Sequence, residues 1–379
     1  MRRTVYGPEH DAFRASVRNF LDKEVGAHRR EWDEAGLPPR EFFNRAGEIG
    51  ILGLGIPEEY GGGEAEFLFN AVVTEEAAHA GYALGPLRIH ADICVPYFVH
   101  HASDEQKARW LPGLASGELV AALALTEPGA GSDLAGIATT ARLEGDHYVV
   151  NGSKTFITGG LNADLFVTAA KTDPTQRHAG LSLLVIEAGS PGVSRGAPLE
   201  KIGLHGQEAV EVFFDDVLVP TGDLLGEEGS GFTYLTSNLP QERMSIAINA
   251  QSSAASVVEQ TVTYVNGRKA FGKSLGAFQN TKFVLAGCAT EVEAGQALLD
   301  RALIAHRDGE LTPADAAKVK LFCTEMQGRV IDACLQLFGG YGYMSEYPVA
   351  RAWTDARVGR IYGGSSEIMK TIIAKSLGL

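Results

Sequence analysis

A glutamate and an arginine stand side by side in the stretch Asn238-Leu239-Pro240-Gln241-Glu242-Arg243-Met244-Ser245-Ile246-Ala247. No further charge follows until Glu259, so Glu242 and Arg243 form a lone charged pair on an otherwise apolar helical pattern. Pro240 belongs in a first helical turn, where its missing N–H is not needed. A carboxylate at such a place either answers the helix dipole or pairs with its neighbour. In a dry pocket it becomes a general base instead. The stretch taken alone favours the simpler reading. A second group, Thr126-Glu127-Pro128-Gly129-Ala130-Gly131-Ser132-Asp133, is rich in small residues and leaves a strand. Its glycines alone indicate a tight turn. Its clustered backbone N–H groups, with the Thr126 and Ser132 hydroxyls, can also hydrogen-bond a planar ring rich in heteroatoms. Phe156-Ile157-Thr158 supplies an aromatic and a hydroxyl to cover such a ring. No G-x-G-x-x-G lies between a strand and a helix, which disfavours a Rossmann nicotinamide site. His90, His100 and His101 have no carboxylate or cysteine spacing that would make them metal ligands, and no metal is expected.

The elements that must position these groups follow from size and periodicity. A chain of 379 residues exceeds one ordinary core and implies two or three domains. With 45% hydrophobic and 21% charged residues it has a soluble globular composition. A net charge of −14 argues against nucleic acid or an anionic membrane as partner. No uncharged apolar run is long enough to span a bilayer, and no signal core follows Met1-Arg2-Arg3, so no stable membrane insertion is expected. Cys94, Cys288, Cys323 and Cys334 lack disulfide or zinc spacing and read as reduced, buried thiols of a cytoplasmic protein.

Residues 1–118 read as helical, with one apolar face through Phe13, Val17, Phe20 and Leu21, another through Phe42, Phe43 and Ala46, and a capping box at Ser103 and Gln106. Residues 119–231 change to strand composition, with Asn151-Gly152 as the expected hairpin turn. The lack of long helices between these strands points to a compact, mostly antiparallel β domain. Residues 232–379 return to long helices: 232–266, 279–308, one opened by Thr312-Pro313-Ala314-Asp315 and running to Phe338, and a last one after Gly363-Gly364. Short connections between them indicate a four-helix bundle. The fold class is therefore α+β, multidomain: helical domain, β domain, helical bundle.

Thr126–Asp133, Phe156–Thr158, Arg268–Lys273, Gln336–Tyr343 and Ile361–Lys370 together resemble the acyl-CoA dehydrogenase family, flavoproteins that oxidise acyl thioesters to 2-enoyl thioesters. The resemblance covers essentially the whole chain. It implies FAD, with Leu123, Leu125, Thr126, Gly131, Ser132, Phe156, Ile157 and Thr158 at the flavin ring. Arg268, Phe271 and Gln279 would reach the FAD of a neighbouring subunit, and the fork of Arg268 suits a pyrophosphate. Gln336, Gly339 and Gly340 match the adenosine-side loop, and Ser365 and Glu367 open the final helix where free N–H groups favour anions. Ser132, Arg243, Tyr362, Gly363 and Gly364 would bind the acyl-CoA substrate. Many members carry the catalytic glutamate right after the tyrosine matching Tyr362, where this chain has Gly363. A smaller branch, including isovaleryl- and long-chain-type enzymes, has it at the place of Glu242. The resemblance thus makes Glu242 the base that removes an α-proton as the β-hydride passes to flavin, with the Gly363 N–H and a ribityl hydroxyl as donors to the thioester carbonyl. It further implies a homo-oligomer, a tetramer in this family, and an electron-transferring flavoprotein as oxidant in fatty-acid β-oxidation. Phe156 replaces a tryptophan common in the family. Alternatives are a flavin monooxygenase on the same fold, a non-catalytic assembly protein, or a dehydrogenase of acyl-carrier-protein thioesters.

Overall fold

The computed structural model describes residues 2–82 and 84–379. The N-terminal part holds helices α1 (Pro8–Leu21), α2 (Arg29–Ala35), α3 (Glu41–Glu48), α4 (Phe67–Ala80), α5 (Gly85–Arg88), α6 (Val95–His101) and α7 (Asp104–Ser116). The two expected apolar faces are real: Val17, Phe20, Leu21, Phe42, Phe43 and Ala46 share one buried cluster. The capping box also forms, with Ser103 Oγ accepting from the Gln106 N–H at 3.2 Å and the Gln106 side chain accepting from the Ser103 N–H at 2.9 Å. Between α5 and α6 the segment Ile89–Cys94 is π-helical, so residues 85–101 run as one rod with a widened middle turn.

The β part is an eight-stranded sheet of β1 (Ala121–Ala124), β2 (Thr140–Glu144), β3 (His147–Thr158), β4 (Leu165–Lys171), β5 (Leu181–Glu187), β6 (Val193–Arg195), β7 (Ala209–Pro220) and β8 (Leu224–Leu225). Its order is β6-β7-β3-β2-β4-β5-β8, with β1 parallel to β4 and the other strand ladders antiparallel, apart from one parallel pairing of Thr140 with Lys171. Asn151-Gly152 is not the hairpin turn. Glu144 pairs with His147, so Gly145-Asp146 makes the turn, with Gly145 at φ 66°. Asn151 instead exchanges side-chain hydrogen bonds with the Asp216 carboxylate and N–H across to β7, where a bulge interrupts β3. A Cβ on Gly152 would lie 2.4 Å from Thr139 Oγ1, so the glycine serves a close approach within the sheet.

The C-terminal part consists of α8 (Gly231–Gly267), a small hairpin β9 (Lys269–Ala270) and β10 (Lys273–Ser274), then α9 (Gln279–Arg307), α10 (Pro313–Phe338), α11 (Pro348–Ala356) and α12 (Ser366–Ser376). Helices α8, α9 and α10 share two buried clusters. Thr312 caps α10 as expected, accepting from the Asp315 N–H at 3.1 Å. Pro240, by contrast, does not start a helix. It lies inside α8, and Glu242 stands eleven residues past Gly231, beyond the reach of the helix-end dipole. In the turns before it, the Thr236 and Ser237 hydroxyls bond back to carbonyls of the same helix.

Candidate active site

Glu242 is 6% exposed in the interior of α8. Its Oε1 accepts a hydrogen bond from the Tyr97 hydroxyl of α6 at 3.1 Å and a longer one from the Asn238 amide at 3.5 Å. That amide also donates to the Ile93 carbonyl at 3.1 Å. Burial pushes the Glu242 carboxyl up to about 7, against the opposing pull of Tyr97, Arg243 and Asn238. Arg243 acts on it only through space. The guanidinium is itself 4% exposed, its Nε has no partner, and burial lowers its proton affinity. The plain ion pair allowed by the sequence is therefore not formed. A buried carboxylate near neutrality beside an underused cation is suited to taking up and releasing a proton.

The rod 85–101 ties this helix to the sheet. Arg88 donates to Ser245 Oγ at 3.0 Å, Ser245 donates to the Asp92 carboxylate at 2.5 Å, and Gln241 donates to the Asp92 carbonyl at 2.8 Å. On the other side, His90 accepts from the Ala121 N–H of β1 at 3.1 Å. Half-buried Leu123 and Leu125 pack on the cluster that includes Ile93, Cys94 and Tyr97. One element thus sets the Glu242 helix and the strand that feeds the Thr126–Asp133 loop.

That loop is fixed from beneath by a buried ion pair. Lys154 is 0% exposed and donates to Glu127 Oε1 at 2.7 Å, to the Ala169 carbonyl at 2.7 Å and to the Leu125 carbonyl at 3.2 Å. Glu127 also accepts from the Ala138 and Thr139 N–H groups and the Thr139 hydroxyl. Burial draws the Lys154 ammonium down to about 8. Burial would raise Glu127, but Lys154 and the other donors outweigh it and hold the carboxyl below its usual value. Above this pair, Gly131 and Ser132 are exposed and Thr126 and Thr158 half-buried. Phe156 is held at φ 59° with 67% of its surface exposed. Ile157 points into the β core, which leaves only its backbone for a ligand.

Tyr362, Gly363 and Gly364 form the turn before α12, with Gly363 at φ 61° and Gly364 at φ 93°. Gly363 packs on Ile246, one turn along α8 from Glu242, so the structure sets the glycine turn against the part of α8 that carries Glu242. Lys320 of α10, 0% exposed, donates to the Gly364 carbonyl at 2.6 Å. Burial, then Arg243, lowers this ammonium to about 8. Ser365 caps α12 through the Ile368 N–H, and Glu367 is exposed beside it.

Arg268, Phe271, Gln279, Gln336, Gly339 and Gly340 gather elsewhere. They lie at the far end of the bundle, where Arg268 sits over the Tyr341 ring at 5.4 Å and Phe271 is 95% exposed. Arg268 lies twenty-six positions after Glu242, just past the end of α8, about 39 Å along its axis. Within one chain, then, these two groups do not share a site.

Sequence reasoning missed Tyr97, Lys320 and the role of Asn238. Lys320 stands beside Lys318 in a run with Ala316, Ala317, Val319 and Cys323, and nothing local sets the buried lysine apart from its exposed neighbour. Among the described residues no group of histidines, cysteines and acids could hold a metal, and no helix is long and apolar enough to cross a membrane. All four cysteines are free and buried.

Models of the acyl-CoA dehydrogenase N-terminal, middle and C-terminal domains match residues 7–118, 122–217 and 229–378. The chain is 42% identical to the mitochondrial long-chain specific acyl-CoA dehydrogenase of Sus scrofa, over 99% of this chain and 88% of that protein. Its fold is similar to the crystal structure of an acyl-CoA dehydrogenase from Geobacillus kaustophilus, at TM-score 0.98, 47% identity and full coverage of both chains. An acyl-CoA dehydrogenase from Bacillus anthracis, solved in complex with FAD, matches at TM-score 0.93 and 31% identity, over 98% of this chain and 68% of that one.

Proposed function

The chain belongs to the acyl-CoA dehydrogenase family, and from that premise we propose that it oxidises an acyl-CoA thioester to the trans-2-enoyl-CoA with Glu242 as the base. The single observation that carries the assignment is a buried carboxyl, raised to about 7, one helical turn from the Ile246 side chain that packs on Gly363.

The family's cofactor is FAD, and the residues present fit it. Among the described residues the Thr126, Ser132 and Thr158 hydroxyls have no hydrogen-bond partner in the chain, so all three are free for ring heteroatoms. Leu123, Leu125, Gly131, Phe156 and the Ile157 backbone complete that side. A bound FAD would supply the acceptor for the β-hydrogen, which leaves the substrate as hydride. Glu242 takes the α-proton, and the electron pair of that C–H bond becomes the new double bond. As enolate character develops, the Gly363 N–H stabilises the thioester oxygen, with the turn held by Lys320 on the Gly364 carbonyl. Arg243 and Lys320 add positive potential on the side where negative charge grows.

Arg268, Phe271 and Gln279 of one subunit complete the FAD site of a neighbour in a homotetramer; their separation of about 39 Å from Glu242 supports this. Electrons leave to an electron-transferring flavoprotein past the exposed Phe156. The position of the base favours the long-chain and isovaleryl branch, and the buried free thiols suit a cytoplasmic enzyme. We propose domain limits at 118/119 and 231/232. A flavin monooxygenase would give a buried carboxylate at this place no task.

The test is Glu242→Gln in the FAD-loaded enzyme. Fold, FAD content and thioester binding should persist while flavin bleaching by an acyl-CoA slows by about 10²–10⁴-fold. Bleaching at the parental rate with normal binding would leave Glu242 a structural carboxylate.

A further inference from the structure

Glu242 is anchored through one oxygen only. Oε1 receives both donors, the Tyr97 hydroxyl at 3.1 Å and the Asn238 amide at 3.5 Å. Tyr97 is 0% exposed, and its single hydroxyl hydrogen is directed at that oxygen. Asn238 is fixed in turn by its second bond, to the Ile93 carbonyl at 3.1 Å. Among the described residues no donor bonds Oε2, yet it is not among the sealed atoms that lack a partner. The two anchors also form a wall of a cavity of about 380 Å³, which His100, His101, Gln241 and His306 line as well. We propose that Tyr97 and Asn238 are positioning residues that clamp Oε1 of Glu242 and so make Oε2 the oxygen that takes the substrate proton. The inference deepens the base assignment and rests on it.

The physical argument has two parts. A carboxylate turns easily about its terminal torsion, which is broad and two-fold, so a base held through neither oxygen presents its lone pairs in many directions. Two donors on one oxygen remove that freedom, and a base fixed to within a fraction of an ångström reacts faster than a mobile one. Both donors also favour the ionised form, against burial. The other groups facing Glu242 are few. Cys94 comes from the π-helical stretch, its thiol pushed well up by burial and by Glu242 itself. Arg243 is its neighbour on α8, and Lys320 of α10 lies beyond Arg243. None of these three hydrogen-bonds the carboxylate, so the hydroxyl and the amide alone set its orientation.

The experiment compares Tyr97→Phe and Asn238→Leu in the FAD-loaded enzyme, by anaerobic flavin bleaching with an acyl-CoA between pH 5.5 and 9. For Tyr97→Phe we expect retained FAD and melting behaviour, and thioester affinity within about threefold. The limiting bleaching rate should fall by about tenfold, and its acid limb should move upward by about one pH unit, a tenfold change in proton affinity. Asn238→Leu should move both in the same direction by less. A second readout needs no turnover: the pH titration of the Glu242 carboxyl band by infrared difference spectroscopy, assigned by its loss in Glu242→Gln. Its midpoint should rise in both variants. Added to Glu242→Gln, Tyr97→Phe should cause no further loss of rate, because it acts through the carboxylate. Unmoved midpoints in the variant that folds would overturn the clamp. Parental bleaching by Glu242→Gln would overturn the base assignment instead, whatever the infrared midpoints show.

Discussion

Gly363 and Ile246 are packed so closely that a Cβ on the glycine would lie 2.3 Å from Cδ1 of the isoleucine. Gly363 also sits at φ 61°, in the left-handed region that side chains avoid. The place where many relatives keep their base is thus closed here both by backbone and by packing. Moving the carboxylate, by Glu242→Gln with Gly363→Glu, should restore little flavin bleaching. Adding Ile246→Val removes the obstructing Cδ1 for about 0.5–1.5 kcal/mol of lost stability. The triple variant should bleach faster than the double. Equal rates would show that packing against Ile246 is not the barrier.

Glu242 also makes stability depend on pH. Its carboxyl is raised from 4.5 to about 7 in the folded chain, so between those values the native state binds more protons than the unfolded one. Its contribution to stability is therefore complete below about 4.5 and is lost as pH rises through about 7. Glu242→Gln removes this loss. The ligand-free variant should gain on the parent as pH goes from 5 to 8, by an amount on the order of 3 kcal/mol in denaturant unfolding. A constant difference across that range would contradict the raised carboxyl.

The Lys154–Glu127 pair predicts a strong non-additivity. Lys154→Met leaves a buried carboxylate without its cation and should destabilise by about 3–5 kcal/mol. It should also loosen the Thr126–Asp133 loop and lower FAD retention. Glu127→Gln/Lys154→Met should be more stable than Lys154→Met alone, since no uncompensated charge remains and the amide oxygen can still accept from Ala138 and Thr139. Urea unfolding with flavin fluorescence checks both statements.

Arg268→Ala tests the second end of α8. The guanidinium is exposed and, among the described residues, stacks on Tyr341 with no side-chain hydrogen bond or ion pair of its own, so the apo-protein should melt as the parent does. FAD affinity should nevertheless fall tenfold or more, measured by flavin release on gel filtration. Unchanged FAD retention would limit Arg268 to its stacking on Tyr341.

Much of this arrangement was legible because it is local. Helical faces at Phe42, Phe43 and Ala46, the box at Ser103 and Gln106, and the cap at Thr312 are short-range patterns that packing did not overrule. Glu242 stood out as a charge in an apolar run, and Gly363 as a glycine beside a tyrosine. Tyr97 could not be found this way, because it meets Glu242 from 145 residues away and looks like any core aromatic in its own helix. Lys320 likewise acquires meaning only from the Gly364 carbonyl, 44 residues on. The Asn151-Gly152 reading failed since the cross-strand bonds of Asn151 with Asp216 outweigh turn propensity, leaving Gly145-Asp146 to turn the chain. Ile157 was placed at the ring by its motif, whereas strand alternation sends its side chain inward.

The π-helical stretch fixes the phase of the rod that carries Arg88 and Tyr97. They stand nine positions apart, about two and a half turns of a regular α-helix, which would aim them in opposite directions. Both nevertheless reach α8, Arg88 at Ser245 and Tyr97 at Glu242. The extra residue per turn in Ile89–Cys94 supplies the angular correction. A deletion of one residue there would tighten the rod to ordinary pitch and keep its length nearly unchanged. It would also keep Arg88 and Tyr97 in phase, whereas ordinary pitch without the deletion would swing one half of the rod by roughly 100° against the other. In this protein the aim of the base is therefore encoded partly in the match between residue count and pitch in one widened turn, and a frame that tolerates many substitutions has little tolerance for losing that turn alone.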